Sequence, residues 1–382
     1  MAARAAKLRE AGHRVFAFGV GEPDFETPLA IREAAKKAID SGASHYTAVT
    51  GTPALKKAIC AATERDRGWT PKPEQVVVSC GAKHVLFNLA LALYEPGDEV
   101  IIPAPYWVSY PEQVRLVGAT PVIVPTQEED GWLLTGETLA AAITPRTRAV
   151  ILCTPSNPTG SAYPRERLLQ LGAAMQKSSD ALLIVDEIYA ELVYDGFKHE
   201  SPARLLPDLR HRIVVVDGVS KTHAMTGWRI GWSIAPLEVA KALDVIQGQS
   251  TTNPTAVSQE AAIAALTGSR DDFMKMHAAF QERRNRMVEG LRALPGVKCR
   301  MPDGAFYAFA NVRGLYGLRV GDKELKSDED IAFWLLDAAH VAAVAGTPFG
   351  APGYLRFSYA CSKETIDEGL SAVRRAIEDA KR

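Results

Sequence analysis

The sequence predicts an α/β fold: a large domain built on a mainly parallel sheet covered by helices, with a smaller α+β domain beside it. Three observations lead there. Short β-branched runs recur between residues 76 and 216, helical patterns lie between several of them, and long amphipathic stretches take over after about Ser233. At 382 residues the chain is also long for one hydrophobic core, so two lobes with a cleft between them are expected.

The runs at 76–78, 100–102, 121–124, 149–152, 182–185 and 213–216 read as buried strands. The stretch 83–94 separates the first two and puts Val85, Leu86, Leu89, Ala90 and Leu93 on one helical face. Strands alternating with helices imply parallel pairing with both faces covered, and ligands of such sheets bind beyond the carboxyl ends of the strands. Past Ser233, helices are expected at 236–247, 258–266 and 271–294, the last charged and long enough to bridge two lobes. Strands at 297–301 and 305–310, a helix at 328–339, a strand at 354–359 and a final helix from Lys363 complete an α+β unit. Residues 21–250 are therefore assigned to the large domain. Residues 1–20 and 251–382 go to the small one, the interdomain helix near 271–294 included.

With 44 basic and 45 acidic side chains the formal net charge is -1. Nothing in that balance attracts nucleic acid or an anionic membrane, so small molecules are the expected ligands. The apolar runs fall far short of the roughly 20 residues that a membrane-spanning helix needs. Residues 1–10 are rich in alanine and arginine but lack the apolar core of a secretory signal, and read as a helix. The five cysteines are scattered with no Cys-x-x-Cys pair. They read as reduced thiols of a soluble, cytoplasmic protein in which no metal ion is expected.

Several segments carry chemistry. Lys221, in Asp217-Gly-Val-Ser-Lys221-Thr-His-Ala-Met-Thr-Gly-Trp-Arg229-Ile-Gly231, follows a strand directly. A lysine at a strand end facing a cleft is desolvated, which lowers its pKa and frees a neutral amine for attack on a carbonyl. Asp186 ends the apolar run 182–185, where an ionised carboxylate needs a partner; it could equally cap the next helix. Tyr189 lies one turn on. Asn157, in Thr154-Pro-Ser-Asn157-Pro-Thr-Gly160, projects an amide from a turn. Gly81-Ala82-Lys83 opens a helix, so its backbone N–H groups suit a phosphate, though a plain strand-to-helix turn would read alike. Trp107, in Ala104-Pro-Tyr106-Trp107-Val-Ser-Tyr110, is a flat aromatic beside a strand end, as fit for the core as for a ligand. Arg356 alternates with Leu355 and Phe357 and could grip a carboxylate with its fork or simply be solvated. The glycines at Phe18-Gly-Val-Gly21 lack the third glycine of a dinucleotide site.

Read together and in order, these segments resemble the class I aminotransferase family of pyridoxal 5′-phosphate enzymes, from about Ala6 to the C-terminal helix. The aspartate/prephenate branch is the most similar. The resemblance implies the fold type I architecture, with Lys221 carrying the cofactor as a Schiff base and acting as the base. It further implies Asp186 on the pyridine nitrogen, Tyr189 and Asn157 on the phenolic oxygen and Trp107 against the ring. Gly81, Ala82, Lys83 and Arg229 would hold the phosphate. Gly21, Lys83, Trp107, Asn157 and Arg356 would meet the substrate, with Arg356 on the α-carboxylate and Lys83 on a distal one. His45-Tyr46-Thr-Ala-Val-Thr-Gly51 resembles the segment whose tyrosine reaches the neighbouring subunit's phosphate site, which implies a homodimer with shared sites. The implied reaction moves an amino group between aspartate or glutamate and a 2-oxo acid in two half-reactions, prephenate being a further acceptor. Aromatic or neutral amino donors, or β-elimination on the same fold, stay open at this point. Three features depart from the pattern: a short N-terminal arm, Gly218 where some members place a hydroxyl donor for the phosphate, and Asp217 at a position commonly uncharged.

Overall fold

In the computed structural model, which describes residues 2–178 and 180–380, a seven-stranded sheet forms the centre of the large lobe. Its strands are β1 (Val76–Ser79), β2 (Glu99–Ala104), β3 (Thr120–Pro125), β4 (Thr147–Cys153), β5 (Leu182–Asp186), β6 (Ile213–Gly218) and β7 (Gly231–Ile234). Their order is β1-β7-β6-β5-β4-β2-β3. All neighbours are parallel except those of β7, which runs antiparallel to both β1 and β6. The six runs expected from the sequence all form strands. The strand β7 was not among them: it is four residues long, starts on a glycine and has too few β-branched residues to stand out.

Alternation along the strands feeds two cores. Val76, Val78, Ile101, Val150 and Leu152 point to one face, where Leu55, Leu168 and Ala261 meet them. Val77, Val100, Ile102, Ala149 and Ile151 point to the other, beneath Leu86, Leu89 and Leu243. Burial on both faces is what β-branched runs without polar alternation produce.

The helix Ala256–Thr267, placed in the small domain by the sequence reading, contributes Ala261, Ala262, Ala265 and Leu266 to the first of these cores. It packs on the helices Leu29–Asp40 and Pro53–Arg67. Its apolar residues are spread around the axis, and the polar Ser258 and Gln259 are buried with them, so the pattern marks no clear face and no destination.

The rest of the chain builds a four-stranded antiparallel sheet in the order Val344–Ala345, Tyr354–Ser358, Tyr307–Asn311, Lys298–Cys299. The helices Asp271–Arg292, Asp328–Ala339 and Lys363–Asp379 cover it, and Phe280, Phe306, Leu335, Phe357 and Ile366 fill its core. Ser327 and Ser362 cap two of these helices by accepting the N–H groups of Asp330 and Thr365. The N-terminal helix Ala2–Glu10 tucks Ala5 against Leu336 and Ala342. The helix Asp271–Arg292 spans the junction: His277 meets the Val193 carbonyl and Arg284 pairs with Asp195, while Met287, Val288 and Leu291 sit in the small-lobe core. No helix among the described residues is long and apolar enough to cross a membrane.

Candidate active site

The carboxyl ends of β1, β2, β4, β5 and β6 all face one edge of the sheet, and a cavity of about 420 Å³ opens there against the small lobe. Lys221 projects into it from the loop after β6. Its Nζ donates to the carbonyl of Gly21 at 2.7 Å, joining segments 200 residues apart. Burial lowers its pKa to about 8, opposed by Glu22 and reinforced by Arg229. An amine so placed has a larger neutral fraction near neutral pH than an exposed lysine, as a nucleophile or base requires.

Asp186 is the last residue of β5, 4 % exposed, opposite Cys153 of β4 and Val216 of β6. Its Oδ2 accepts from the Tyr110 hydroxyl at 2.8 Å and its Oδ1 from the Ile188 N–H at 3.2 Å. Burial raises its pKa to about 6; those two neutral donors and the Lys221 ammonium pull the other way. A buried carboxylate in an open cavity, hydrogen-bonded by neutral groups, is a site for an incoming cation.

The helix Ala82–Leu93 starts at the cavity, leaving its first N–H groups without intrahelical acceptors. Gly81 holds φ at +88°, and a Cβ there would come within 2.6 Å of Arg229 Nη2. Arg229 is itself in the left-handed region at φ 57°, which aims its guanidinium at the Cys80 and Thr226 carbonyls. With Ser220 also at the cavity wall, these groups make an anion cradle.

Across the cavity stands Arg356, 7 % exposed in an inner strand of the small sheet, so not a solvated edge residue. Its Nη1 donates to Asn157 Oδ1 at 2.8 Å and its Nη2 to the Gly19 carbonyl at 2.9 Å, while its buried Nε has no partner. The guanidinium is held between the rings of Tyr307 and Phe349, at 4.5 and 5.2 Å from their centroids. Tyr307 also shares a hydrogen bond with Tyr189, hydroxyl to hydroxyl at 2.8 Å. Lys83 and Trp107 line the same cavity, with Lys83 Nζ 4.9 Å from the Trp107 ring.

The cavity thus gathers Gly21, Ala82, Lys83, Trp107, Asn157, Asp186, Tyr189, Lys221, Arg229 and Arg356, with Gly81 just behind Arg229. Tyr46 stands apart: it is 88 % exposed and does not line the cavity of its own chain. Sequence reasoning passed over Tyr110, Ser220 and Tyr307. The first two lie inside motifs already singled out. Tyr307 carries no signal beyond strand alternation, since which face meets the cleft is a tertiary matter.

Beneath the site lies a second charged group. Arg67, from the helix Pro53–Arg67, donates to Glu187 at 3.2 Å and to Asp217 at 3.0 Å, and His199 approaches Glu187 at 3.5 Å. Burial lifts the Asp217 pKa to about 7 despite Arg67. Asp217 therefore has a partner that its sequence context does not reveal.

The donor set fits the pyridoxal phosphate that the resemblance implies: an anion cradle in which a Cβ at Gly81 would collide with Arg229, a buried carboxylate held by neutral donors, and a desolvated amine. The family described as aminotransferase class I and II matches residues 13–373. An aspartate aminotransferase of Rhizobium meliloti (strain 1021) is 44% identical over 377 residues, 98% of this chain and 92% of that protein. An aspartate/prephenate aminotransferase of Cereibacter sphaeroides is 44% identical over 372 residues, covering 97% and 93%. The solved Rhizobium meliloti aspartate aminotransferase superposes with a TM-score of 0.97 at 43% identity, covering 100% of this chain and 95% of that one. Matched in sequence along nearly its whole length, and in fold to a solved aspartate aminotransferase, the chain belongs to the class I and II aminotransferases, enzymes that work with pyridoxal phosphate.

Proposed function

We propose that this enzyme moves an amino group between aspartate or glutamate and a 2-oxo acid, oxaloacetate or 2-oxoglutarate, with prephenate as a further acceptor. The observation that carries this reading is a pair of cations in one cavity. Arg356 presents an unpartnered Nε, and Lys83 lies over Trp107 with no carboxylate against it among the described residues. A dicarboxylate matches two cations; a neutral amino acid leaves one unanswered. The relatives named as aspartate and aspartate/prephenate aminotransferases point the same way.

Bound pyridoxal phosphate supplies an aldehyde for the amino group and a ring that takes up the electron pair released at the substrate Cα. The protein does the rest. The backbone N–H groups of Gly81, Ala82 and Lys83, with Ser220 and Arg229, would hold the phosphate; Trp107 would lie against the ring, Asp186 would keep its nitrogen protonated, and Asn157 and Tyr189 would donate to its phenolic oxygen. Arg356 orients the substrate by its α-carboxylate beside Gly21. Lys221, whose pKa burial lowers, takes the Cα proton and would deliver it to the cofactor's C4′. Water supplies the carbonyl oxygen of the 2-oxo acid, which leaves before its counterpart enters, and the steps reverse.

Lys83→Ala tests the substrate assignment. Aspartate use should fall roughly 10–100-fold relative to alanine or phenylalanine use, because the dicarboxylate alone loses a charge-assisted contact of about 1.5–3 kcal/mol. Equal losses in kcat/KM for charged and neutral donors would assign Lys83 to the cofactor and leave the substrate open.

The exposed Tyr46 belongs, in this reading, to the partner's phosphate site in a homodimer. Co-expressing Tyr46→Phe with Lys221→Ala subunits tests it. If the tyrosine crosses, each mixed dimer contains one intact site and shows about half the wild-type activity. Mixed dimers no more active than Tyr46→Phe homodimers would place Tyr46 outside the partner's site. The five free cysteines favour a reducing compartment, the cytoplasm. The large lobe is read as the cofactor domain and the small lobe as the substrate-side domain.

A further inference from the structure

Asp186 must stay ionised in a place that discourages it. The groups facing it are Tyr110 from the helix Ser109–Leu116, Cys153 at the end of β4, Lys221 from the loop after β6, and its own neighbour Glu187, already tied to Arg67. Of these, Tyr110 touches the carboxylate directly, through Oδ2 at 2.8 Å.

Tyr110 is 2 % exposed, and its ring meets Trp107 edge-on at 5.4 Å, which leaves the phenol little freedom. One turn along the same helix, Gln113 Nε2 donates to the Lys83 carbonyl at 3.1 Å. A single short helix thus clamps both the start of the anion cradle and the buried carboxylate. We propose that Tyr110 is a positioning residue that fixes the Asp186 carboxylate and holds it ionised for the cofactor's ring nitrogen. Resting on the role given to Asp186 above, it adds a residue that the sequence motifs leave without a function.

The chemistry sets the direction of the effect. A phenol donating to a carboxylate favours the ionised form, and the ionised carboxylate favours a protonated pyridine. Removing the donor shifts the proton away from nitrogen. Phenylalanine keeps the ring and its packing, so Tyr110→Phe isolates the hydroxyl.

The test is to load wild type and Tyr110→Phe with pyridoxal phosphate labelled with ¹⁵N in the ring and follow the nitrogen shift by NMR across pH. Circular dichroism and melting on the same samples report folding. The pH midpoint of nitrogen deprotonation should fall by roughly one unit, a tenfold change, in the variant. A stronger donor, 3-fluorotyrosine placed at position 110, should move it upward and keeps the test alive if the phenylalanine variant folds poorly. An unchanged midpoint in a folded variant overturns the proposal. A wild-type nitrogen that is unprotonated throughout overturns the Asp186 assignment, and this proposal with it.

Discussion

Exchanging Lys221 for alanine lowers transamination roughly 10⁴-fold, the upper end of what a positioned acid–base group supplies, because the same amine serves as nucleophile and base. The variant should also fail to gain the mass of the cofactor when the loaded protein is reduced with borohydride. The wild-type amine carries a pH signature. Burial lowers its pKa to about 8, with Glu22 restraining the shift and Arg229 adding to it. The rate at which apoprotein captures pyridoxal phosphate should therefore climb about tenfold per pH unit and level off near pH 8, where an exposed lysine would keep climbing past 10. Stopped-flow absorbance measures this. Retained turnover in the alanine variant, or a capture rate that still rises beyond pH 10, would remove Lys221 from the chemistry.

Asp186→Asn should cost about 10²–10³ in turnover while leaving the fold in place. The amide fits the same space and can keep a hydrogen bond to Tyr110, but it has no charge to hold a proton on the ring nitrogen. Losses of that size accompany removal of single preorganised electrostatic groups. Steady-state kcat for aspartate in the cofactor-saturated variant is the measurement, and near-normal activity there would refute the role given to Asp186.

Much of this site was legible because sheets of this kind place ligands at strand ends, and strand ends are visible in sequence as polar residues following β-branched runs. Lys221, Asp186 and Asn157 each announce themselves that way. Arg356 was visible as a motif, whereas its burial between Tyr307 and Phe349 depends on the small lobe meeting the large one. Other features stayed hidden for physical reasons. The antiparallel β7 is short and glycine-led, and the helix Ala256–Thr267 spreads its apolar residues around the axis and buries Ser258 and Gln259, so periodicity assigns it no partner. Tyr307 and Tyr110 act through contacts 118 and 76 residues away, distances at which local pattern says nothing.

The buried cluster of Arg67, Glu187 and Asp217 constrains the order in which this sequence can change. One guanidinium answers two carboxylates supplied by neighbouring strand ends. Removing Arg67 first would leave Asp217 without its counter-ion and Glu187 with His199 alone, and would cost about 3–5 kcal/mol, a large share of the stability of an ordinary domain, whereas replacing the cluster by apolar residues in concert is nearly neutral. Asp217 is thus epistatic to Arg67: its charge is tolerated where the arginine is present, and the arginine becomes hard to lose once the aspartate has arrived.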